Sequence, residues 1–152
     1  MPELVISDAS CLILLTTIGE LTMLQRLYDT VLTTPTVAAE YGMPLPEWVK
    51  LEAAHDEYRQ QLLEMQLDAG ESSAIALALE KAHCTVILDD YKACRVAEQM
   101  GLQLTGTLGI VVKAKRRGII PAVKPLLQRI KQTNFRLSVE LENQVLRLAG
   151  EL

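Results

Sequence analysis

The fold is decided by the stretch LVISDAS at residues 4–10. Its first three residues are apolar and two of them are β-branched, which is typical of a buried strand in a parallel sheet. An aspartate at position 8 ends the apolar run and is followed by two small residues. Ligands of open α/β sheets bind just beyond the carboxyl ends of the strands. The stretch therefore predicts a strand that delivers Asp8 to a ligand site.

Three more carboxylates lie near points where a strand or a turn gives way to a helix. Asp89 comes directly after the apolar run at 85–88, which predicts another buried strand. Glu40 lies in a helix opened by Pro35, because proline is favoured at the first helical position, and Glu71 lies in the first turn of a later helix. Gathered carboxylates repel one another unless a cation neutralises them. Their hard oxygen atoms suit Mg²⁺ or Mn²⁺, so the pattern favours a metal-dependent enzyme acting on phosphodiesters.

The carboxylates also have purely structural interpretations. Asp8 would cap the helix that follows the first strand. Glu71 lies three residues after Asp68, so the pair would form a capping box. Either Asp89 or Asp90 would cap the helix that follows them. Each acid taken singly is therefore open to both interpretations.

The joint placement of the acids favours a metal site over these separate roles. The first strand and the strand at 85–88 are expected to be near each other in a parallel sheet, which brings Asp8 and Asp89 to one edge. Ser10 would then hydrogen-bond Asp8 from behind the metal. Glu40 is harder to explain as a cap because it lies in mid-helix, where the alternative is a solvated residue.

The chain alternates strands with helices over its 152 residues, without a linker or a repeat. This pattern predicts a single domain spanning residues 1–152, an α/β three-layer sandwich with a short, mostly parallel sheet of four to five strands between helices. The predicted strands are residues 4–7, 30–33, 85–88 and 103–105.

A long amphipathic helix is predicted after the turn at 42–46. Spacings of three and four residues place its apolar side chains and one histidine on one face, termed the Trp48–Met65 stripe: Trp48, Leu51, His55, Tyr58, Leu62 and Met65. The stripe would pack onto its own domain, or receive another protein or a second copy of the chain. His55 is predicted to be partly buried in a core or an interface, not a catalytic base.

The charge is distributed unevenly along the chain. Residues 1–90 hold 4 Lys and Arg against 15 Asp and Glu, whereas residues 91–152 hold 11 against 4. An acidic metal site beside a basic rim is what a protein that cleaves nucleic acid needs. The residues predicted to hold RNA phosphates are Lys113, Lys115, Arg116 and Arg117. In the alternative interpretation, they stabilise the C-terminus of a helix that ends at Gly118.

Several functional classes are excluded by composition and motifs. No apolar run approaches the roughly 20 residues that cross a bilayer, and no signal peptide opens the chain, so we expect a cytoplasmic protein without membrane contact. The three cysteines lack a C-x-x-C spacing and are expected to be reduced and mostly buried, and the two histidines are too few and too far apart for a zinc site. Motifs of P-loop, dinucleotide-binding and nucleophile-elbow proteins are absent from the sequence.

Five segments in order resemble the PIN domain, and within it the DUF3368 group: residues 5–10, 34–40, 67–75, 88–97 and 105–109. The resemblance implies a Mg²⁺- or Mn²⁺-dependent ribonuclease, often the toxin of a VapBC-like toxin–antitoxin pair. It carries over four catalytic and metal-binding acids, Asp8, Glu40, Glu71 and Asp89, with Asp90 and Thr107 as supporting neighbours.

One departure from the family pattern affects the expected number of ions. Many PIN nucleases carry another acid near the last strand, and residues 105–107 have none. One ion held by Asp8 and Asp89 is therefore expected, with Glu40 and Glu71 binding it or orienting its waters. The substrate implied by the resemblance is single-stranded RNA.

Two other functions share this sequence pattern. One is a catalytically weak PIN-like module that binds RNA or a partner protein, and the other is a structure-specific DNA nuclease with the same acids. The expected partners are RNA, an antitoxin protein and a second copy of the chain in a homodimer. Either protein would bind the Trp48–Met65 stripe.

Overall fold

The computed structural model describes residues 3–152. Its strands are β1 (Leu4–Ser7), β2 (Thr30–Thr33), β3 (Val49–Leu51), β4 (Thr85–Ile87) and β5 (Gln103–Thr105). Its helices are α1 (Ala9–Thr17), α2 (Thr22–Leu27), α3 (Pro35–Tyr41), α4 (Glu57–Glu64), α5 (Ala69–Leu79), α6 (Tyr91–Gln99), α7 (Thr107–Arg116), α8 (Lys124–Lys131) and α9 (Val139–Leu148). Within these residues no helix has both the length and the apolar character needed to cross a bilayer.

The strands form one parallel sheet in the order β3-β2-β1-β4-β5. Ile6 at the centre is level with Leu32 on one side and Val86 on the other. The first three strands extend the sheet in one direction and the last two extend it in the other, so the chain reverses between β1 and β4. This arrangement confirms the predicted α/β sandwich.

A separate apolar core lies on each face of the sheet. Val5 and Ile6 are adjacent in β1 and both are fully buried, because successive side chains of a strand point to opposite faces. Val5 belongs to the core that contains α1, α2 and α7, and Ile6 belongs to the core that contains α5. Helices therefore cover both faces, as a parallel sheet requires.

The predicted single helix across residues 48–65 is wrong. Val49–Leu51 forms an edge strand that pairs with β2, with Val49 beside Val31. Helix α4 begins only at Glu57, where the Asp56 side chain accepts the backbone N–H of Arg59 at 2.9 Å. The three- and four-residue spacing thus spans a strand, a loop and a shorter helix.

The Trp48–Met65 stripe does not pack onto its own domain as one surface. Tyr58 is 71% exposed, Leu62 is 47% exposed and Met65 is 81% exposed. His55 is also exposed, and its Nδ1 lies 3.2 Å from Glu80 Oε1. The prediction of a partly buried histidine is therefore wrong, because the residue lies in the loop before α4 instead of on a helix face.

Candidate active site

Asp8 and Asp89 lie side by side at the carboxyl edge of the sheet. β1 and β4 are parallel neighbours, so the residues that follow them emerge at the same edge. The backbone N–H of Asp89 donates to Asp8 Oδ2 at 3.2 Å. The chain reverses between these strands, and the crevice at such a switch point is where open α/β sheets bind ligands. The fold thus brings these two predicted site residues together.

Asp8 is buried, with only 4% of its surface exposed. Its Oδ1 accepts the backbone N–H of Cys11 at 2.9 Å, so the residue also caps α1. Burial, and then the charge of Asp89, raise the pKa of Asp8 to about 8, although the two backbone N–H groups oppose this shift. A carboxyl group placed here is largely protonated at neutral pH unless a cation compensates its charge.

Asp89 is clamped by the turn that begins α7. Thr107 donates its backbone N–H to Asp89 Oδ1 at 2.8 Å and its hydroxyl to Asp89 Oδ2 at 2.5 Å. A Cβ atom on Gly106 would lie 3.1 Å from Asp89 Oδ1, tighter than ordinary contact, so glycine permits this close approach. The N-terminus of α7 also favours a negative charge. Thr107 therefore contacts a site carboxylate directly.

Asp90, and not Asp89, caps the following helix. Asp90 Oδ2 accepts the backbone N–H of Ala93 at 3.0 Å, in the first turn of α6. The capping role that the sequence left open between the two aspartates is thus taken by Asp90. Its charge also contributes to raising the pKa of Glu71.

Hydroxyl groups join α3 to α5 and so bring Glu40 and Glu71 to the same region. The buried Thr34 and Ser73 side chains are 2.6 Å apart. Ser73 donates its proton to the Gly70 carbonyl at 2.7 Å, so Thr34 donates to Ser73. Thr34 in turn accepts the backbone N–H of Val37 and caps α3. These bonds fix the start of one acid-bearing helix against the start of the other.

Glu40 is seated against the backbone of Gly70. The nearby backbone N–H of Gly70 opposes the rise in the pKa of Glu40 that burial and Asp68 cause. A Cβ atom at position 70 would collide with that carboxylate, so any larger residue there would displace it. Sequence reasoning missed this role of Gly70, although the glycine directly precedes Glu71.

The charges of three neighbouring acids act on Glu71. Burial, then the charges of Asp68 and Asp90, raise the pKa of Glu71 to about 7, with a smaller contribution from Glu40. Asp68 caps α5 by accepting the Glu71 backbone N–H at 2.8 Å. Asp68 thus makes its half of the predicted capping box, whereas no hydrogen bond from the Asp68 N–H to the Glu71 side chain is present among the described residues. Asp68 also adds charge to the site.

Mutual charge effects connect six carboxyl groups into one acidic cluster: Asp8, Glu40, Asp68, Glu71, Asp89 and Asp90. As the side chains stand, no three His, Cys, Asp or Glu residues within 3–152 are close enough together to hold a metal ion. Mg²⁺, however, usually keeps several waters and takes only one or two protein carboxylates. The Asp8–Asp89 pair fits that mode, and burial together with the Asp89 charge, which raise the pKa of Asp8, would be offset by a cation.

Ser10 does not support Asp8 in the way predicted. Both Asp8 oxygens accept backbone N–H groups, and no hydrogen bond joins Ser10 to Asp8 in the part of the chain that the structure describes. The helix-cap geometry directs the carboxylate towards the backbone instead. Ser10 is exposed on α1 and lines an open cavity together with Glu40.

The basic residues predicted to hold RNA phosphates belong to the end of α7 and the residue after it: Lys113, Lys115, Arg116 and Arg117. This helix begins beside Asp89 and runs about 15 Å away from it. Arg117 lies 2.6 Å from Glu3, which precedes β1, and Lys115 lies 2.8 Å from Glu151. The structure therefore does not bring these cations to the acidic cluster. The alternative interpretation, stabilisation of a helix C-terminus, fits their placement.

Comparison with known proteins adds one finding to this geometry. The sequence model of the DUF3368 family, described as a PIN domain, matches residues 4–151. No curated protein matches the chain. PIN domains have a nuclease-type fold, are generally hydrolases and generally use divalent metal ions. The match covers nearly the full length, and the chain belongs to the PIN domain family DUF3368.

Proposed function

We propose that this protein is a Mg²⁺- or Mn²⁺-dependent endoribonuclease that hydrolyses single-stranded RNA. The observation that carries the proposal is the pairing of Asp8 and Asp89 at the switch point of the sheet. Burial and the charge of Asp89 raise the pKa of Asp8 to about 8. A divalent cation would offset both effects by compensating the negative charge.

Asp8 and Asp89 would hold the ion, with water completing its coordination. A bound divalent ion activates a water molecule and stabilises charge on the nonbridging phosphate oxygens. Thr107 keeps Asp89 in one orientation through two hydrogen bonds, so this carboxylate needs little reorganisation to act.

Glu71 is the residue best suited to accept the proton of the attacking water. Its carboxylate belongs to the acidic cluster, and a bound cation that compensates the neighbouring charges would keep it ionised and able to accept a proton. Glu40, seated on the Gly70 N–H, would orient water or substrate from α3. Asp68 and Asp90 remain caps of their helices and contribute charge to the site.

Cleavage assays with matched nucleic acids test this proposal. Wild-type protein is incubated with single-stranded RNA, with DNA of the same sequence and with RNA duplex, each with Mg²⁺, Mn²⁺ or a chelator. We expect internal cuts in single-stranded RNA with either ion and none with the chelator. Cleavage confined to DNA would establish the alternative, a DNA nuclease, and no cleavage of any substrate would contradict the enzymatic proposal.

A specific observation also favours a protein partner. The exposed side chains of Tyr58 and Leu62 on α4, and of Met65 directly after it, form an apolar face, termed the α4 surface. Exposed apolar patches commonly mark interaction sites. We propose that a second copy of the chain covers this surface in a homodimer, and an antitoxin in a toxin–antitoxin pair would compete for it.

Light scattering of wild type and Leu62→Asp tests the homodimer. We expect a dimer for the wild type and a monomer for the variant, because a charge in an apolar interface is costly to bury. Val139→Asp, a matched change at an exposed residue of α9, is the control and should leave the dimer intact. A monomeric wild type at all concentrations would contradict the proposal.

A further inference from the structure

An open cavity of about 560 Å³ lies beside the acidic cluster, between α1 and the loop after α8, and is termed the α1 cavity. We propose that it is a nucleobase subsite, which holds the base of a nucleotide next to the scissile phosphate and so sets sequence preference. This inference rests on the proposed ribonuclease activity and deepens it. The volume is within the range of small-molecule sites, which is roughly 300–1,000 Å³.

The position of the α1 cavity connects it to the site. Its wall includes Ser10, two residues after Asp8, and Glu40, the carboxylate seated on Gly70. A nucleotide whose phosphate lies at Asp8 therefore has this cavity within reach of a neighbouring base. The cavity and the acidic cluster share Glu40 as a common boundary.

The lining of the α1 cavity suits a neutral, planar ligand. Ile13, Leu14 and Phe135 supply apolar and aromatic surface for the face of a base. Gln132 and Asn134 each offer an amide with donors and an acceptor, the groups that read base edges. None of the described residues that line the cavity is a lysine or an arginine, so a phosphate there would face only the Glu40 carboxylate.

The two amide groups are available to a ligand. Within residues 3–152 neither the Gln132 nor the Asn134 side chain makes a hydrogen bond to another protein group, and both residues are exposed. An apolar side chain of a partner protein would cover these amides and leave them unpaired, which is unfavourable. A base satisfies the amides at its edge and the apolar residues at its face, so it is the occupant that the chemistry favours.

The test uses Gln132→Leu and Asn134→Leu, which remove amides and keep apolar bulk. The matched control is Gln103→Leu, an exposed amide at the amino end of β5, remote from the carboxyl edge. Cleavage positions are mapped on an RNA of random sequence, and binding of the four neutral nucleosides to metal-free protein is followed by saturation-transfer NMR. Neither readout depends on the basic residues of α7.

Wild type is expected to prefer one base at a fixed position beside the cut and to bind the same nucleoside. Each cavity variant should lower that preference by roughly tenfold and lose the NMR signal, and the control should keep both. Unchanged preference and unchanged nucleoside binding in both cavity variants would overturn the subsite. If wild type cuts no RNA but still binds nucleosides in a cavity-dependent way, the ribonuclease proposal fails and the base site stands.

Discussion

Asp8→Asn is expected to abolish metal-dependent RNA cleavage, with a loss of roughly a thousandfold, the scale of removing a group that stabilises transition-state charge. Asparagine keeps the shape of the side chain and one acceptor oxygen, so α1 can still be capped through Cys11. It removes the negative charge beside Asp89 and presents an amide donor where Oδ2 now accepts an N–H. The initial rate of single-stranded RNA cleavage with Mg²⁺ and with Mn²⁺ measures the loss, and circular dichroism checks the fold.

Asp56→Asn is the matched control for this variant. Asp56 also caps a helix, because its side chain accepts the Arg59 N–H at 2.9 Å. Its backbone N–H donates to Glu80, which follows the C-terminus of α5, whereas Glu71 lies at the N-terminus of that helix. Asp56 is therefore remote from Glu71. Wild-type cleavage is expected. Equal cleavage by wild type and Asp8→Asn would show that the activity is a contaminant. If the protein is a toxin, its expression should arrest growth, and expression of Asp8→Asn should not.

The same Asp8→Asn variant is expected to be more stable than the wild type when metal is absent, and increasingly so as the pH rises. The Asp8 pKa moves from 3.8 in the unfolded chain to about 8 in the folded protein, so the folded state binds the proton more tightly. Between these two values the folded state holds more protons than the unfolded state, and wild-type stability therefore falls with rising pH. The full penalty is present above pH 8 and disappears below pH 4.

The size of this effect follows from the shift and from what asparagine loses. Each pKa unit corresponds to about 1.4 kcal/mol. Loss of the hydrogen bond from the Asp89 N–H offsets about 1 kcal/mol of the resulting gain in stability. We expect the excess stability of Asp8→Asn over the wild type to reach several kcal/mol at pH 9 and to be small at pH 5.

Urea unfolding of both proteins at pH 5, 7 and 9 with a chelator measures the difference in the free energy of unfolding. When Mn²⁺ replaces the chelator, the wild type at pH 9 should become more stable, because ligand binding to the folded state raises its stability. The free energy of unfolding of the variant should not change. A pH-independent difference would show that the Asp8 carboxyl does not carry the penalty.

The long central strands were predictable because their sequence signal is local. β1 and β2, each four residues long, have the predicted bounds, because short apolar or β-branched runs between turns are typical of buried parallel strands. The three-residue edge strand β5 also has the predicted bounds. β3, an edge strand of three residues in which only Val49 is buried, was missed. Its side chains also match a helical spacing with later residues, and pairing with β2 decides between the two.

The contacts that orient the acids were not predictable from local patterns. The hydrogen bonds from Thr107 to Asp89 connect residues 18 positions apart, and the contact between Glu40 and Gly70 connects α3 to α5. For the basic residues of α7, the sequence predicted a contact with the site that the structure does not contain. The charge distribution places basic residues such as Lys115 after the acidic segments, but α7 begins beside Asp89 and runs away from it.

From the sequence alone follow the fold class, the strands that precede Asp8 and Asp89, and the choice of Asp8, Glu40, Glu71 and Asp89 as candidate site acids, because each of these predictions rests on residues adjacent in the chain. Which of these groups meet, and what their pKa values become, depends on the tertiary structure. Burial and mutual charge act through space, so the acidic cluster, its sixth member Asp68 and the cavity beside Glu40 exist only once the sheet has brought β1 next to β4 and α3 against α5.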